Sequence, residues 1–341
     1  MSQTTNTHTE SRPAPKPSRL ESFGGHALGH LKMAAPILIV LAIILIAIVV
    51  QNPNFIEPPQ FLNFVRRSAP LIVLAIGQVF VIASGGFDLS QGSLITVTVI
   101  MSAAVSRGDE SMTPQIILMV LLVGVLVGLV NGLVTTKLKV PSIITTLAML
   151  LMLRGAVFFW SGGAPTGALA DSFRMFGRDG IEMPVVQRLP YAVIVVVVLA
   201  WLYTRLMHRS SYGHQLMAVG GGARAAGMTG VNVARIRVLA FIISAVSAVV
   251  AGILLGGYSG VSAEVGQGME LEAISAVVLG GAAIGGGRGS VVGVAIGAFT
   301  LQALFMLLNL LGLPQPMRSS VQGLIIIGAV VYAGLRLQRG R

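Results

Sequence analysis

The sequence predicts an all-α membrane protein, a polytopic helical bundle of about ten spans with both termini cytoplasmic. Three observations carry that prediction. Of 341 residues, 54% are apolar and only 10% charged, with a mean hydropathy of +0.85, whereas soluble domains carry roughly 25% charged residues. The apolar residues come in long blocks that approach the roughly 20 residues a spanning helix needs, not in the alternating segments of about 10 residues typical of a membrane barrel. Basic residues gather on alternate connections between blocks, as topology in lipid requires.

Residues 1–32 are polar, rich in Pro, Ser and Thr, and basic through Arg12, Lys16, Arg19 and Lys32. They read as a disordered cytoplasmic tail. They do not read as a signal peptide: the run 33–50 is longer than an ordinary signal core, and no small-residue cleavage site follows at Gln51-Asn52-Pro53. The remainder, 33–338, reads as one membrane domain. Its clear spans are 33–50, 69–84, 113–135, 190–207, 238–257, 291–311 and 319–335. The stretches 90–106, 141–160 and 271–285 are shorter, or interrupted by Gly, Ser, Thr or Arg154. They read as broken or re-entrant helices, which lipid tolerates only where protein or a water-filled path covers the irregular backbone. Eight spans plus two re-entrant hairpins is the alternative count.

With the N-terminus inside, the inner connections are 85–89, 136–140, 208–237 and 286–290. Together with the C-terminal tail they hold Lys137, Lys139, Arg209, Arg224, Arg235, Arg237, Arg288, Arg336, Arg339 and Arg341. The acidic residues on that side, N-terminal tail included, are Glu10, Glu21 and Asp88. The outer connections balance their charges, which fits the positive-inside rule. The longest of them, about 161–189, is too short for a domain but long enough to dock a partner.

Forty-two glycines punctuate the blocks. Gly124-x-x-x-Gly128 and Gly293-x-x-x-Gly297 read as close helix packing. Two regions share a helix–glycine break–helix pattern: 71–83 runs into Ser84-Gly85-Gly86, and 274–279 runs into Gly280-Gly281, as internal repeats of transporters do.

Several functions are excluded. With no Cys there is no disulfide or thiolate site, and the five His lie outside the apolar blocks. No phosphate loop, His-Glu-x-x-His, Gly-x-Ser-x-Gly or calcium-loop pattern is present, so no catalytic, cofactor or metal site is expected in this chain. The +11 net charge belongs to topology, not to nucleic-acid binding. A stand-alone ion-coupled carrier would want paired mid-membrane acids, and the sequence shows none.

The polar candidates are few. Asp88, with Ser84, Gly85, Gly86 and Ser90 around it, reads either as a cap for a helix starting near Leu89 or as a pathway residue. Glu270 and Glu272 suit a helix N-terminus, or a pairing with Arg154. The basic, glycine-punctuated segment 208–237 is the best surface for a soluble partner. Within it Ala223-Arg224-Ala225-Ala226 can form one or two helical turns, closed by Gly227.

Several segments taken in order resemble the permease subunits of bacterial ATP-binding-cassette importers for monosaccharides, the ribose/xylose/galactose branch. They are Ser84-Gly85-Gly86-Phe87-Asp88-Leu89-Ser90-Gln91-Gly92-Ser93, Val140-Pro141-Ser142-Ile143-Ile144-Thr145-Thr146-Leu147, Leu153-Arg154-Gly155, and Gly220-Gly221 with Ala225–Val231. Glu270–Gly281 and Gly287-Arg288-Gly289-Ser290 complete the set. The resemblance covers about 35–338. It implies an inner-membrane permease with a second permease subunit (another copy or a related chain), a cytoplasmic ATPase that binds the ATP and magnesium, and a periplasmic sugar-binding protein. It implies a pentose, hexose or polyol-like solute. It also implies an ATPase-coupling segment of Gly221, Ala223, Arg224, Ala225, Ala226, Gly227, Gly230 and Val231, and pathway or gating residues that include Thr145 and Thr146. The chain departs from the family pattern at Gly222-Ala223-Arg224, where Gly-Gly-Asn is usual, and at Phe87, where isoleucine is.

Overall fold

Helices satisfy their own backbone and can therefore stand in lipid, and the chain is built almost wholly of them. The computed structural model describes residues 37–163, 166–183, 187–314 and, beyond these, 316–317, 319–321, 323–324 and 327–328. In chain order the elements are α1 (Ile37–Gln51), α2 (Pro58–Ala83), α3 (Gln91–Ser106), α4 (Thr113–Lys137), α5 (Ser142–Ser161), α6 (Asp171–Arg178), β1 (Gly180–Met183), β2 (Gln187–Pro190) and α7 (Tyr191–Arg209). They continue with α8 (Ser211–Met228), α9 (Val233–Ser259), α10 (Met269–Leu279) and α11 (Val291–Leu310).

Six of these helices are long and apolar enough to cross a membrane: α2, α4, α5, α7, α9 and α11, with α4 counted from Glu110. The chain is an all-α multi-pass membrane protein, with one short hairpin among the described residues, β1–β2, paired antiparallel from Gly180–Pro190 to Met183–Gln187. The expected tail 1–32 and most of the last span, 319–335, lie outside the described residues.

Three expectations about broken segments have different outcomes. Stretch 141–160 is corrected: α5 is one uninterrupted 20-residue helix. Its hydroxyls turn back onto their own helix, Thr145 Oγ1 donating to the Pro141 carbonyl (3.3 Å) and Thr146 Oγ1 to that of Ser142 (2.9 Å). Stretch 90–106 is the short α3, 16 residues. Stretch 271–285 yields only the 11-residue α10, which stops at Gly280-Gly281, with Gly281 at φ +83°.

The segment 208–237 is also corrected from loop to helix. Ser210 Oγ accepts from Gly213 N (3.1 Å) to start α8, and Asn232 Oδ1 accepts from Arg235 N (3.0 Å) to start α9. The one break inside α8 is at Gly222, with φ 177° and ψ 88°. It separates a first helical stretch from the short helix 223–228. Gly227 does not close that helix. Thr229 is its cap, and the left-handed residue is Gly230 at φ +86°.

At the centre α2 and α9 pack together, with α4 laid along α9. A Cβ at Gly128 would stand 2.6 Å from Ile242 Cα and 2.7 Å from the Phe241 carbonyl; at Gly132 it would stand 2.7 Å from Val238 Cα. A Cβ at Gly293 would likewise stand 2.6 Å from the Gly280 carbonyl oxygen. The small-residue spacings are thus packing seams between helix backbones. Large apolar side chains left on the outside, such as Leu151, Met152 and Phe159 of α5 and Val197 and Trp201 of α7, present the surface that lipid or a second apolar partner solvates.

Two groups of connections mark the two ends of the bundle. At one end α6 and the hairpin pack on the N-terminal half of α2 and the end of α9, where Arg66 donates to the Arg178 carbonyl (2.9 Å). At the other end lie the turn after α2, α8 and the glycine-rich stretch 280–290.

Replacing Gly128 with valine should lower the detergent-solubilised protein's stability by about 1–3 kcal/mol through overpacking of the α4–α9 seam. Gly155→Val should stay near wild type, because no atom lies within 4 Å of its Cβ position. Thermal unfolding followed by size-exclusion reads both.

Candidate functional site

After α2 ends at Ala83, the chain does not return as a helix. Ser84 Oγ donates to the Val81 carbonyl (2.8 Å), Gly85 takes φ +86°, and Gly86 N donates back to Val81 O (3.0 Å). The chain then runs without helix alongside α2 as residues 86–89, turns at Ser90 (φ −82°, ψ −8°) and enters α3 at Gln91. Gln78 donates to the Asp88 carbonyl (3.2 Å), so the extended piece lies level with the interior of α2 and not at its end.

Backbone exposed at that depth needs partners, and α5 supplies them. Phe87 N donates to Ser142 Oγ and Leu89 N to Thr146 Oγ1, both at 3.0 Å. The register is geometric: four residues of helix advance about 6 Å, and two residues of extended chain advance about 6.6 Å. Hydroxyls at i and i+4 on the helix therefore meet alternate N–H groups on the strand-like piece.

Asp88 is 0% exposed and ends a chain of donors. Its Oδ1 accepts from Ser90 N (3.0 Å) and Ser90 Oγ (2.6 Å), and its Oδ2 accepts from Ser244 Oγ (2.7 Å). Asn131 of α4 donates to Ser90 Oγ (2.9 Å), and Gln91 donates to Ser244 Oγ (3.0 Å). One carboxylate thus gathers α3, α4 and α9. Asp88 holds the N–H of the residue before α3 and not those of its first turn, so the expected cap is replaced by a turn that leads into the helix.

The glycine-rich stretches that follow α2 and α10 meet the helix that carries 223–228. Gly287 N donates to the Ala83 carbonyl (2.9 Å). Gly220 of α8 packs into that contact: a Cβ there would collide with Ala83 O and Gly287 N. Gly286 takes φ +87°, and a Cβ on it would stand 3.0 Å from Gly85 N and 2.9 Å from Gly220 O. The break after α2, the break after α10 and α8 therefore touch backbone to backbone. Arg237 of α9 lies beside the same turn, its Nη2 3.9 Å from the Cβ position of Gly85.

Beyond Gly222 the helix 223–228 projects. Arg224, Ala225, Gly227, Gly230 and Met228 (79% exposed) face outward, as does Gly221 before the break. Ala226 is 5% exposed and turned inward, Ala223 and Val231 are half-buried, and Val231 N donates to the Ala226 carbonyl (3.2 Å).

Glu270 sits apart from Asp88, lining a cavity with Arg154, Gln267 and Ser93. Arg154 and Glu270 make no ion pair within 4.0 Å in the described structure. Glu272, half-buried one turn into α10, does not line it. Thr145 bonds only within α5. The sequence analysis passed over Gln78, Asn131 and Ser244, and it quoted Gln91 and Ser142 within the resembling segments without giving them a site role. Their signal was present: each is a polar side chain within or at the edge of an apolar block, where a polar group needs a partner.

A family model described as the branched-chain amino acid transport system permease component matches residues 60–330. The ribose import permease protein RbsC of Bacillus subtilis is 34% identical over 299 residues, covering 85% of this chain and 89% of that protein. Its Escherichia coli K12 counterpart is 32% identical over 296 residues, with 86% and 91% covered. The autoinducer 2 import permease LsrC of Enterobacter sp. 638 is 33% identical over 292 residues, with 84% and 82% covered. No solved structure matches the chain. The chain belongs to this family of transport permeases.

Thr146→Val and Ser142→Ala each leave a half-buried N–H of the extended piece unpaired, and each should cost about 1–3 kcal/mol of stability. Thr145→Val removes only an intrahelical bond and should cost less than 1 kcal/mol. Denaturation in detergent, compared across the three variants, checks the order.

Proposed function

We propose that the chain, as a member of this family, is the membrane-spanning permease of an ATP-driven importer, passing a sugar or similar polyol across a bacterial inner membrane. The named relatives import ribose and autoinducer 2, which supports a small hydroxylated solute. In this reading both termini and α8 are cytoplasmic, residues 1–32 form a tail, and 33–338 form one membrane domain. The basic residues Arg209, Arg224, Arg235 and Arg237, within 208–237, support that orientation.

The partner set follows. A cytoplasmic ATPase binds ATP and magnesium and engages Arg224, Ala225, Gly227 and Met228. A periplasmic sugar-binding protein docks on α6 and the β1–β2 hairpin at the opposite end. A second permease subunit completes the pathway, and no nucleic acid is involved. This chain performs no covalent chemistry.

The observation that carries the proposal is the placement of helix 223–228. It is the projecting part of α8, and directly behind it Gly220 is wedged against the breaks after α2 and α10. Closure of the ATPases on ATP displaces that helix. Because Gly220, Ala83 and Gly287 meet through backbone atoms, there is no side chain to absorb the displacement, and the breaks move with α8. The extended piece 86–90 is hydrogen-bonded to α5 and α9, so it carries those helices, and the pathway opens alternately to either side.

Co-purification of the ATPase with this chain from mild detergent tests the assignment. Ala225→Glu and Met228→Asp, both at outward positions, should weaken ATPase recovery more than about tenfold, since each sets a charge in a closed contact. Recovery equal to wild type with both variants would overturn the coupling assignment. Ala226→Glu is unsuited, because that side chain faces the bundle.

A further inference from the structure

The outward face of a membrane helix meets lipid, a water-filled path or protein, and its polarity decides which. The outward faces of α4 and α7 are apolar through their middles, with Leu118, Leu122 and Leu126 on one and Val197, Val198 and Trp201 on the other. Arg205 of α7 stands about one turn from the helix end and lies over the Trp201 ring, 5.1 Å from its centroid. That placement suits the boundary between lipid and water.

α5 is different. Its one charged residue, Arg154, is the thirteenth of 20 and is exposed. The nearer helix end is seven residues on, at Ser161, about 10 Å at 1.5 Å per residue. Helical side chains lean toward the N-terminus of their own helix, so this guanidinium leans away from that end and toward the middle of the bundle. It closes no ion pair in the described structure. Gly155 and Ala156 beside it are exposed, and no atom lies within 4 Å of the Gly155 Cβ position. Leu151, Met152 and Phe159 are exposed around them. A bare guanidinium at this depth is costly against hydrocarbon, so something other than lipid covers the face.

Charge indicates what covers it. A cleft separates Arg154 from the approach to α10. Residues 238–287 contain no Lys or Arg, and their acids are Glu264, Glu270 and Glu272. Glu264 and Gln267 are exposed, Glu270 and Glu272 are half-buried, and none of the three acids closes an ion pair in the described structure. One chain thus carries a cationic strip, α5, beside an anionic strip, 264–272, and does not close them on each other. A two-fold axis running along the strips, in front of the cleft, sets the cationic strip of each copy against the anionic strip of the other, because a two-fold interface makes every contact twice with the copies exchanged.

We propose that the face formed by α5 and 264–272 seats a second copy of this chain, leaving a wet seam along Arg154 and Gly155. The proposal rests on the permease reading for the need of a second subunit. It adds which surface that subunit covers and that the subunit is the same chain.

The chain has no Cys, so each single substitution places a sole thiol. Leu151→Cys, Met152→Cys and Phe159→Cys sit on the proposed face, and Leu122→Cys of α4 and Val197→Cys of α7 sit on apolar faces. Membranes containing the full chain are treated with a short bis-maleimide and run on denaturing gels. The expected result is a dimer band from at least one α5 thiol and none from the α4 and α7 thiols. A charged methanethiosulfonate reagent should modify Gly155→Cys and spare Val197→Cys, since only the first faces water. Adding Arg154→Glu to the cross-linking α5 variant should cut the band several-fold by setting like charges across the seam, while the protein still elutes as a single species from detergent. No dimer from any α5 thiol, dimers from α4 or α7 in their place, a Gly155→Cys thiol closed to the charged reagent, or a band undiminished by Arg154→Glu would overturn the proposal. A failed importer reading would show instead as absence of ATPase co-purification with the α5 dimer intact.

Discussion

The structure turns on one constraint: a stretch of extended backbone lies at the depth of membrane helices, and every polar group on it has to be paired. A backbone amide taken out of water without a partner costs several kcal/mol. Residues 86–90 meet the constraint with side chains from elsewhere. Ser142 and Thr146 take two N–H groups, Gln78 gives to the Asp88 carbonyl, and the Asp88 carboxylate collects donors that reach back to Asn131 and Gln91. Such relays polarise one another and tie their members together. The extended piece is therefore fixed to α2, α4, α5 and α9, and it moves as part of them.

That rigidity gives the glycine contact its meaning. Ala83, Gly220, Gly286 and Gly287 bring three backbones together at one end of the bundle. Side chains can hop rotamers to absorb a push, and backbones packed at van der Waals distance cannot. A displacement at helix 223–228 has a short stiff route, through Gly220, to the breaks after α2 and α10. The break at Gly222 sets that helix at an angle to the stretch holding Gly220, so the projecting face and the wedged face belong to one lever.

Much of this was legible in the sequence, for identifiable reasons. Spans are readable because lipid demands long apolar runs, and α4, α7 and α11 fall within a few residues of the blocks that predicted them. The breaks at Gly85-Gly86 and Gly280-Gly281 showed through glycine, and helix 223–228 showed through its alanines. The helicity of 210–221 was concealed: glycine and charge argue for a loop locally, and the helix gains its stability from burial of Leu216 and Val219 against the bundle. The roles of Ser142 and Thr146 were concealed because their partners lie 55 and 57 residues away. Of the two readings for Glu270 and Glu272, the helix N-terminus holds, since both stand in the first turn of α10, while no Arg154 ion pair closes: the fold places Arg154 across a cavity from Glu270.

The central claim is that the Gly220 contact transmits ATPase motion to the pathway. The most direct measurement is the amount of solute moved per ATP hydrolysed by the reconstituted importer, comparing Gly220→Ala with Gly221→Ala, whose Cβ would meet nothing within 4 Å. The account predicts that Gly221→Ala leaves the ratio at wild type. It predicts that Gly220→Ala lowers the ratio by about fivefold or more, the scale of ordinary coupling energies, with the ATPase still bound and hydrolysing. An unchanged ratio for Gly220→Ala would contradict the account.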